Sequence, residues 1–540
     1  MENIEETPFR ITHTVQALGS TLRGESENVS DANGLGSGDR ISSEPEKLWF
    51  KESSAKNLRN RDFLSPSTVL NTLYADGQVL PAVMVRVQSL RGTGVLPVAG
   101  GELMGEGLRV RVDRTAVFQK VLSDASVYLK PPCQRQRCVM LNCPARHPKP
   151  NLPSPDTFTL GQLRTVLLTD HLGALLRRRC PSAGPMTRGR RTFWRLYRIP
   201  LTEKERRQME EDERVKERIW MEIEEMLRVN LKRVFQEEQL PGYDLSLGTC
   251  TGGLQSSCRN ISRMINGNRM HLSSMLSLIA KGLNVISAKG QCVSSGPTGQ
   301  GYCYCTRHLV CGPMKTPGTH LSAAQYLQLR RVQMEASEIK YGEQVEDQTW
   351  DDIIKVMTSA TVRFELLSTV HTSPVTLDVQ REGSVSTKGL RGGVFVMYNC
   401  ARLHTLFDSY ERGVGKGLYP EIPEGSQLDF SALKEEGEWL LLFDYLIPFS
   451  ELLDQTGQTL GCDGGARVNL KTEQICKFLV SLSKDFSSYY NRVHVLGEPL
   501  PHLFNQMFCR LQLLRALREL YHSALDTLHL PPIPQRKPEL

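Results

Sequence analysis

The sequence predicts an α/β region followed by an all-α region. The all-α prediction rests on two stretches between residues 475 and 528 in which apolar residues recur every three or four positions, the spacing of one buried helix face. The α/β prediction rests on a short apolar strand at 139–141 followed by a helix that opens near Gly161. Alternating apolar and polar residues at 83–87 and 108–112 predict a small α+β module before it. A chain of 540 residues is also too long for one core, so we expect two to four domains.

Two helices are predicted near the C-terminus. The first apolar stripe comprises Ile475, Leu479, Leu482, Phe486, Tyr489 and Val493. The second comprises Leu503, Met507, Leu511, Leu514, Leu517, Tyr521, Leu525 and Leu528. Pro499 and Pro501 break the chain between the stripes, and Pro531 ends the second, because proline cannot continue a helix. Each helix has one apolar face, so the two can pack together.

Composition divides the chain into four segments. Residues 1–47 form an N-terminal segment that we expect to be partly disordered, since much of it is Gly, Ser, Asn and Asp. Residues 48–130 are predicted to be a small α+β module. Residues 138–345 are predicted to be an α/β domain with a charged helical insertion at about 200–240, where Thr202 and Glu205 form a capping box. Residues 350–540 are predicted to be a helical domain.

Several classes of protein are excluded by bulk features. No apolar run approaches 18 residues, so we expect no membrane span. The acidic start, with Glu2, Glu5 and Glu6, lacks the features of secretory and mitochondrial targeting segments. Fourteen cysteines without such a segment are expected to be reduced thiols, and the expected location is cytoplasmic.

Two cysteine groups are candidate metal sites. The first has intervals of five residues, longer than a zinc knuckle uses, and both have incomplete ligand sets. We therefore expect isolated thiols and no metal. The groups are Cys133, Cys138 and Cys143, and Cys303, Cys305 and His308.

Positive charge is concentrated in one segment. Residues 159–200 contain nine arginines and a single acidic residue, with Phe193, Trp194 and Tyr197 interleaved. Arginine beside aromatic residues suits phosphate contacts with base stacking, although a solvated basic loop or a nuclear-import-like patch has the same composition. Residues 391–540, by contrast, carry 15 basic and 18 acidic residues. The candidate RNA-binding residues of the basic segment are Arg164, Arg188, Arg190, Arg191 and Arg195.

The C-terminal residues also resemble a known family. Five segments are similar, in sequence and in order, to the DALR anticodon-binding domain of arginyl-tRNA synthetases. They are residues 398–403, 438–443, 486–496, 510–518 and 528–533. That resemblance implies a helical bundle that grips an anticodon stem-loop by stacking on and hydrogen-bonding to splayed bases. The implied contact residues are Tyr398, Asn399, Arg402, Tyr489, Tyr490, Asn491 and Arg518. Only the hydroxyl of Tyr489 is expected to be available.

Further upstream, the chain resembles the catalytic domain of the same class I enzymes, a degenerate Rossmann-like fold. Thr159 and Gln162 stand, around Gly161, where the family has the two histidines that stabilise charge on ATP. Met314 and Lys315 are what remains of the second signature, a mobile lysine loop, and Pro317 stiffens it. The resemblance therefore implies a protein without aminoacylation chemistry, with no ATP and no cofactor.

Residues 59–64, 394–402 and 492–504 extend the resemblance to the whole chain. They are similar to DALR anticodon-binding-domain-containing proteins, non-catalytic relatives of arginyl-tRNA synthetase. This resemblance implies a tRNA-binding adaptor that recognises arginine tRNAs and presents them to a methyltransferase forming 3-methylcytidine in the anticodon loop. The alternative is a protein–protein scaffold of the same descent that no longer binds RNA, which the slightly acidic C-terminal region keeps open.

Overall fold

The computed structural model describes residues 7–24, 49–74, 77–130, 139–142, 159–179, 284–296, 299–318, 320–338, 347–377, 392–458 and 470–532. Three sets of predicted residues lie outside these ranges: the charged insertion, residues 1–6 and 25–47 of the N-terminal segment, and four of the five candidate arginines. Those four are Arg188, Arg190, Arg191 and Arg195. Cys133, Cys138 and Cys143 also lie outside, as do the side chains of Cys303, Cys305 and His308.

The chain forms two compact units, and each contains pieces from distant parts of the sequence. Unit 1 comprises residues 1–129, 406–451 and 485–520, and unit 2 comprises residues 130–405, 452–484 and 521–540. The helical segment 350–540 is therefore divided between the units, whereas the sequence predicted one domain. Its longest helix has 27 residues, about 40 Å at 1.5 Å per residue, which is longer than one small core requires.

Unit 1 begins with a helix and a four-stranded antiparallel sheet. The elements are α1 (Ile11–Arg23), β1 (Lys51–Glu52), β2 (Phe63–Pro66), α2 (Ser67–Leu73), α3 (Pro81–Gln88), β3 (Val98–Met104), β4 (Gly107–Val112), α4 (Arg114–Ser123) and α5 (Ala125–Tyr128). The strand order is β1-β2-β4-β3, with Phe63 paired to Val110. Both of these side chains are fully buried, so the sheet face they share belongs to the core.

Two features of this module differ from the sequence prediction. Residues 83–87 alternate like a strand, yet they lie in helix α3, where Pro81 occupies the first turn and Val83 and Val87 are buried one turn apart. The module also includes residues before 48, because the backbone N–H of Arg10 donates to the carbonyl of Gly94 at 2.8 Å. Proline at the helix start and burial every fourth residue outweighed the alternation.

Unit 2 contains the region predicted to be Rossmann-like. Its elements are β5 (Val139–Asn142), α6 (Leu160–Arg179), β6 (Asn284–Gly296), β7 (Gly299–Cys311), β8 (Met314–Lys315), α7 (Ala323–Glu338), α8 (Asp347–Leu367) and β9 (Val375–Thr376). β5, β6 and β7 pair antiparallel, and β8 pairs with β9 in parallel. Within the described residues the parallel sheet of a regular Rossmann fold is thus reduced to one short pair, which fits a degenerate version of that fold.

The helical C-terminal region follows. It comprises α9 (Gly393–Gly415), two 3₁₀ turns (Gly425–Gln427 and Phe430–Ala432), α10 (Glu436–Leu440), a π-helical turn (Leu441–Leu446), α11 (Phe449–Gln458), α12 (Gln474–Arg492) and α13 (Pro501–Thr527). The predicted break is confirmed, since α12 ends at Arg492 and Pro501 begins α13. The predicted stripes are buried except at Val493, which is half-buried, and Leu503, which is 37% exposed. No helix in the described part of the chain is long and apolar enough to cross a membrane.

Within unit 1, helix α10 packs on the N-terminal sheet. Trp439 is 1% exposed, and its indole N–H donates to Asp62 Oδ1 at 2.8 Å, while the backbone N–H of Val112 donates to Asp62 Oδ2 at 2.8 Å. Phe63 and Phe443 meet edge to face with ring centroids 5.6 Å apart. A buried carboxylate with donors on both oxygens fixes register, so the N-terminal module and α10 share one core.

Candidate nucleic-acid interface

The first signature position forms a helix cap. The backbone N–H of Thr159 donates to Gln162 Oε1 at 2.8 Å, and the backbone N–H of Gln162 donates to Thr159 Oγ1 at 3.2 Å. This reciprocal pair is a capping box, which satisfies backbone donors at the start of α6. Thr159 and Gln162, which the resemblance predicts to stand at the histidine positions of the family, therefore stabilise the start of a helix.

A second capping box lies opposite the first. The backbone N–H of Ser322 donates to Gln325 Oε1 at 2.9 Å, and the backbone N–H of Gln325 donates to Ser322 Oγ at 3.2 Å. Thr159 and Ser322 pair in an antiparallel bridge. The starts of helices α6 and α7 are therefore joined at the positions where each is capped.

Arg164 is buried, and this corrects its prediction as an RNA contact. Its side chain is 0% exposed and donates five hydrogen bonds to backbone carbonyls within unit 2. With all its donor groups engaged, the guanidinium cannot reach a phosphate without unfolding its surroundings. The acceptors are the carbonyls of Gly312, Leu366, Thr369, Val370 and Ser373, at 2.9–3.3 Å.

The residues predicted to be a remnant of the second signature lie in a strand. Met314 and Lys315 form β8, paired with Val375 and Thr376, and the backbone N–H of Leu377 donates to the carbonyl of Lys315 at 2.9 Å. The Lys315 side chain is exposed. The backbone of Met314 and Lys315 is therefore held in a short parallel pairing.

Other polar residues of α6 are also paired inside unit 2. Burial opposes ionisation of Asp170, but Arg363 at 2.9 Å and His529 at 2.9 Å hold its pKa below the ordinary value. His171 is fully buried, so desolvation lowers its pKa to about 4 and the ring is neutral. Its Nδ1–H donates to the carbonyl of Thr527 at 2.7 Å. Arg178, another arginine of the basic segment, bonds to Asp526 at 2.9 Å.

Of the predicted anticodon-arm residues in unit 2, two are accessible. Tyr398 is 53% exposed on α9, and the guanidinium carbon of Arg402, one turn later, lies 5.2 Å from its ring centroid. The pair forms an aromatic platform with a cation stacked on it, a geometry that suits a nucleobase. Asn399 is corrected, since it is 0% exposed and its amide donates to the carbonyl of Phe395 at 2.8 Å.

Three of the four predicted residues in unit 1 lie at or near its surface, and the fourth, Tyr489, is buried. Asn491 is exposed, Tyr490 is half-buried against Phe486 with ring centroids 5.5 Å apart, and Arg518 is half-buried with its guanidinium carbon 4.5 Å from the Phe407 ring centroid. These three retain polar atoms near the surface of unit 1.

Tyr489 is a core residue. Its ring is 1% exposed and packs on Gly437, where an added Cβ would lie 2.8 Å from the ring. Its hydroxyl donates to Glu438 Oε1 at 3.4 Å, so the expectation that this hydroxyl is available is wrong. Arg510 Nε also donates to Glu438 Oε1, at 2.8 Å. Glu438 is itself fully buried, which makes this a satisfied internal network.

Family models match two parts of the chain. The model described as "DALR, N-terminal domain" matches residues 9–128, and the one described as "DALR anticodon binding domain" matches residues 396–535. A DALR anticodon-binding domain-containing protein 3 from Danio rerio is 57% identical over 576 aligned positions, covering 98% of this chain and all of that protein. Its namesake from Rattus norvegicus is 38% identical, covering 90% of this chain and 95% of that protein.

The chain belongs to the DALR anticodon-binding domain-containing protein 3 family. It also aligns with arginyl-tRNA synthetase from Thermus thermophilus at 14% identity and a TM-score of 0.45, covering 96% of this chain and 99% of that structure. With the Plasmodium falciparum enzyme the identity is 9% and the TM-score 0.47, covering 97% and 99%.

The first family match explains why the N-terminal module extends before residue 48. It begins at residue 9, two residues before α1, and ends at the last residue of α5. The second match opens inside α9, two residues before the exposed Tyr398. Both platform residues, Tyr398 and Arg402, therefore lie in the anticodon-binding domain of this family.

Proposed function

We propose that this chain is a non-catalytic adaptor that binds arginine tRNAs and presents them, in the cytoplasm, to a methyltransferase that forms 3-methylcytidine in the anticodon loop. The observation that carries the proposal is the exposed Tyr398–Arg402 platform within the domain described as anticodon-binding. Stacking of a base on an aromatic ring is worth about 1–3 kcal/mol and tolerates any base. In this proposal the platform supplies affinity, and polar side chains of the anticodon-binding domain supply selectivity.

The absence of chemistry is part of the proposal. An adenylate-forming site needs positive groups that can approach ATP phosphates. Thr159 and Gln162 carry no charge and cap a helix, Arg164 is enclosed by carbonyls, and Lys315 lies on a paired strand. These contacts support a domain that has become structural.

Different mutations should reduce the general affinity for tRNA and the selectivity between tRNAs. Changing Arg188, Arg190 and Arg191 together to Ala is expected to weaken binding to every tRNA and to flatten the salt dependence, because these residues would neutralise phosphates. Changing Tyr490 or Asn491 to Ala is expected to reduce selectivity between tRNAs instead. Equal losses for all tRNAs from both sets would contradict this division.

The direct test compares the purified full chain with arginine tRNA transcripts and a mismatched tRNA at about 150 mM salt, which screens non-specific attraction. Preferential binding of arginine tRNA is expected. A second arm supplies the methyltransferase and its methyl donor, with and without this chain, and follows 3-methylcytidine in each tRNA. Methylation of arginine tRNA that does not depend on the chain would contradict the adaptor role, and absence of binding would favour the protein scaffold.

A further inference from the structure

A cavity in unit 1 is lined by none of the residues predicted to contact tRNA. It occupies about 530 Å³ between α9, the loop that follows it, and α13. Its lining is Tyr410, Glu411, Val414, Glu421, Ile422, Pro423, Glu424, Gly425, Gln512 and Arg515. The aliphatic side chains provide an apolar wall, and the three carboxylates face a single guanidinium.

The cavity wall is held in place by hydrogen bonds. The hydroxyl of Tyr410 donates to the carbonyl of Pro420 at 2.7 Å, which fastens the loop to α9. Gln119 Nε2 donates to the carbonyl of Gly425 at 3.2 Å, and Gln512 Nε2 donates to the carbonyl of Leu122 at 3.3 Å, both within unit 1. The cavity is thus a built feature of that core.

The charges around the cavity are not neutralised. In the described part of the chain, Glu411, Glu421 and Glu424 form no ion pair within 4.0 Å, and all three are exposed. Burial raises the pKa of Tyr410, Arg515 opposes that rise and Glu421 adds to it. Carboxylates in excess repel a phosphate backbone and attract an ammonium or guanidinium group.

Exposed apolar residues continue from the cavity. Tyr419 stacks on Tyr410 with ring centroids 6.0 Å apart, and its hydroxyl donates to the carbonyl of Gly497 at 2.9 Å. Leu418 next to this tyrosine is 50% exposed, and Leu500 and Leu503 beyond Gly497 are 39% and 37% exposed. Leu503 belongs to the predicted buried stripe, so its exposure is a departure from the pattern of its helix. Nucleic-acid interfaces are much more positively charged than protein–protein interfaces, so an acidic surface beside exposed apolar residues suits a protein partner better than RNA.

We propose that the cavity accepts an arginine or lysine side chain from a protein partner whose neighbouring apolar residues cover Leu418, Leu500 and Leu503. The aliphatic stem of the inserted residue would pack on Val414 and Ile422, and its cationic end would lie among the carboxylates. This site does not depend on the proposed tRNA binding.

The test uses the full chain and a fluorescein-labelled ten-residue peptide in which leucine and arginine alternate, at about 150 mM salt. The variant Glu411→Gln/Glu421→Gln is expected to bind the peptide roughly tenfold more weakly, because two of its charge partners are removed. Leu500→Ser/Leu503→Ser is expected to weaken it about fivefold through lost apolar contact. The control Glu102→Gln/Glu335→Gln removes the exposed carboxylate of Glu102 and the half-buried carboxylate of Glu335, which pairs with Arg331 at 2.8 Å, and should leave the affinity unchanged.

Three outcomes would overturn the proposal. One is failure of the wild-type chain to bind the arginine peptide more tightly than the same peptide with glutamate for arginine. Another is an equal loss of affinity in the control and the cavity variant, which would show a diffuse charge effect. The third is an anticodon stem-loop RNA that displaces the peptide and loses affinity in the same cavity variant, because the cavity would then be an RNA site. Circular dichroism on each variant checks that the fold is retained.

Discussion

The region around α6 in unit 2 and the exposed residues of the anticodon-binding domain differ in how their polar side chains are paired. Around α6, Arg164 and Asp170 are buried, and each has compensating partners: carbonyls for the arginine, and Arg363 with His529 for the aspartate. In the anticodon-binding domain, Tyr398 and Asn491 are exposed, and the cavity carboxylates have no ion-pair partners among the described residues. Buried polar residues with internal partners stabilise the fold, whereas exposed carboxylates that form no ion pair with the described residues can bind a cationic ligand.

The largest expected effect is from removal of Arg164. Arg164→Met leaves five carbonyls at the end of α8 and beside β8 without their donor, in a site closed to water. A buried network broken on one side typically costs about 3–5 kcal/mol, so we expect a loss of that order in stability. Chemical denaturation measures it.

Arg412→Ala is the matched control, since Arg412 is exposed and pairs with Asp408 on the same helix at 3.5 Å. It should cost no more than about 1 kcal/mol. A loss of stability for Arg164→Met as small as that of the control would mean that the buried arginine is not compensated as described, and the contrast between the two regions would fail.

Asp444 tests the opposite case, a buried carboxylate whose charged neighbours are also acidic. It lies in the π-helical turn of unit 1, where burial, then Glu52 and Asp485, raise its pKa to about 7. A carboxyl group whose pKa is higher in the folded state than in the unfolded state stabilises the fold, and the whole contribution is present at pH values below the unfolded pKa, near 4. The contribution is lost as the pH rises through the folded pKa, about 7. Asp444→Asn should therefore increase stability at pH 8, by at most about 4 kcal/mol, and the gain should shrink towards pH 5.

Thermal unfolding of wild type and Asp444→Asn between pH 5 and pH 8 provides the measurement. Asp408→Asn serves as a control on a carboxylate that has a cation beside it. A gain for Asp444→Asn that is equally large at pH 5 and pH 8 would rule out an effect of the charge.

The smallest effect concerns the cap that replaces the first signature. Thr159→Ala removes the side-chain acceptor for the N–H of Gln162 and is expected to cost about 1 kcal/mol, the usual value of an N-cap. Thr159→Ser, which keeps the hydroxyl, should cost much less. If both variants behave alike in denaturation, the hydroxyl is not acting as a cap.

The helices of the C-terminal region could be predicted from the sequence because their apolar spacing is set by local geometry. The break at Pro501 and the burial of Ile475 and Tyr521 follow from that spacing. The partition into two units could not be predicted, since it depends on which distant segments share a core, as Asp62 and Trp439 do. Residues 83–87 show the same limit at small scale, because five alternating residues fit a strand or a short helix equally well.

The candidate site was only partly predictable for a related reason. Residue type identified Arg164 and Asn399 as polar groups suited to RNA, but their partners are backbone carbonyls that only the fold brings together. Tyr398 and Arg402 could be predicted as neighbours, since they are one helical turn apart, but their exposure could not. The capping boxes could be predicted from the sequence, because Thr or Ser is followed three residues later by Gln at both 159 and 322.

The most direct test is the arginine tRNA affinity of the full chain, measured for two double variants at about 150 mM salt. Thr159→Ala/Gln162→Ala alters the signature region, and Tyr398→Ala/Arg402→Ala alters the platform. We expect the first to keep wild-type affinity and the second to bind at least about tenfold more weakly, as loss of one base-stacking platform implies. The reverse result would place RNA contact in the signature region and contradict the account.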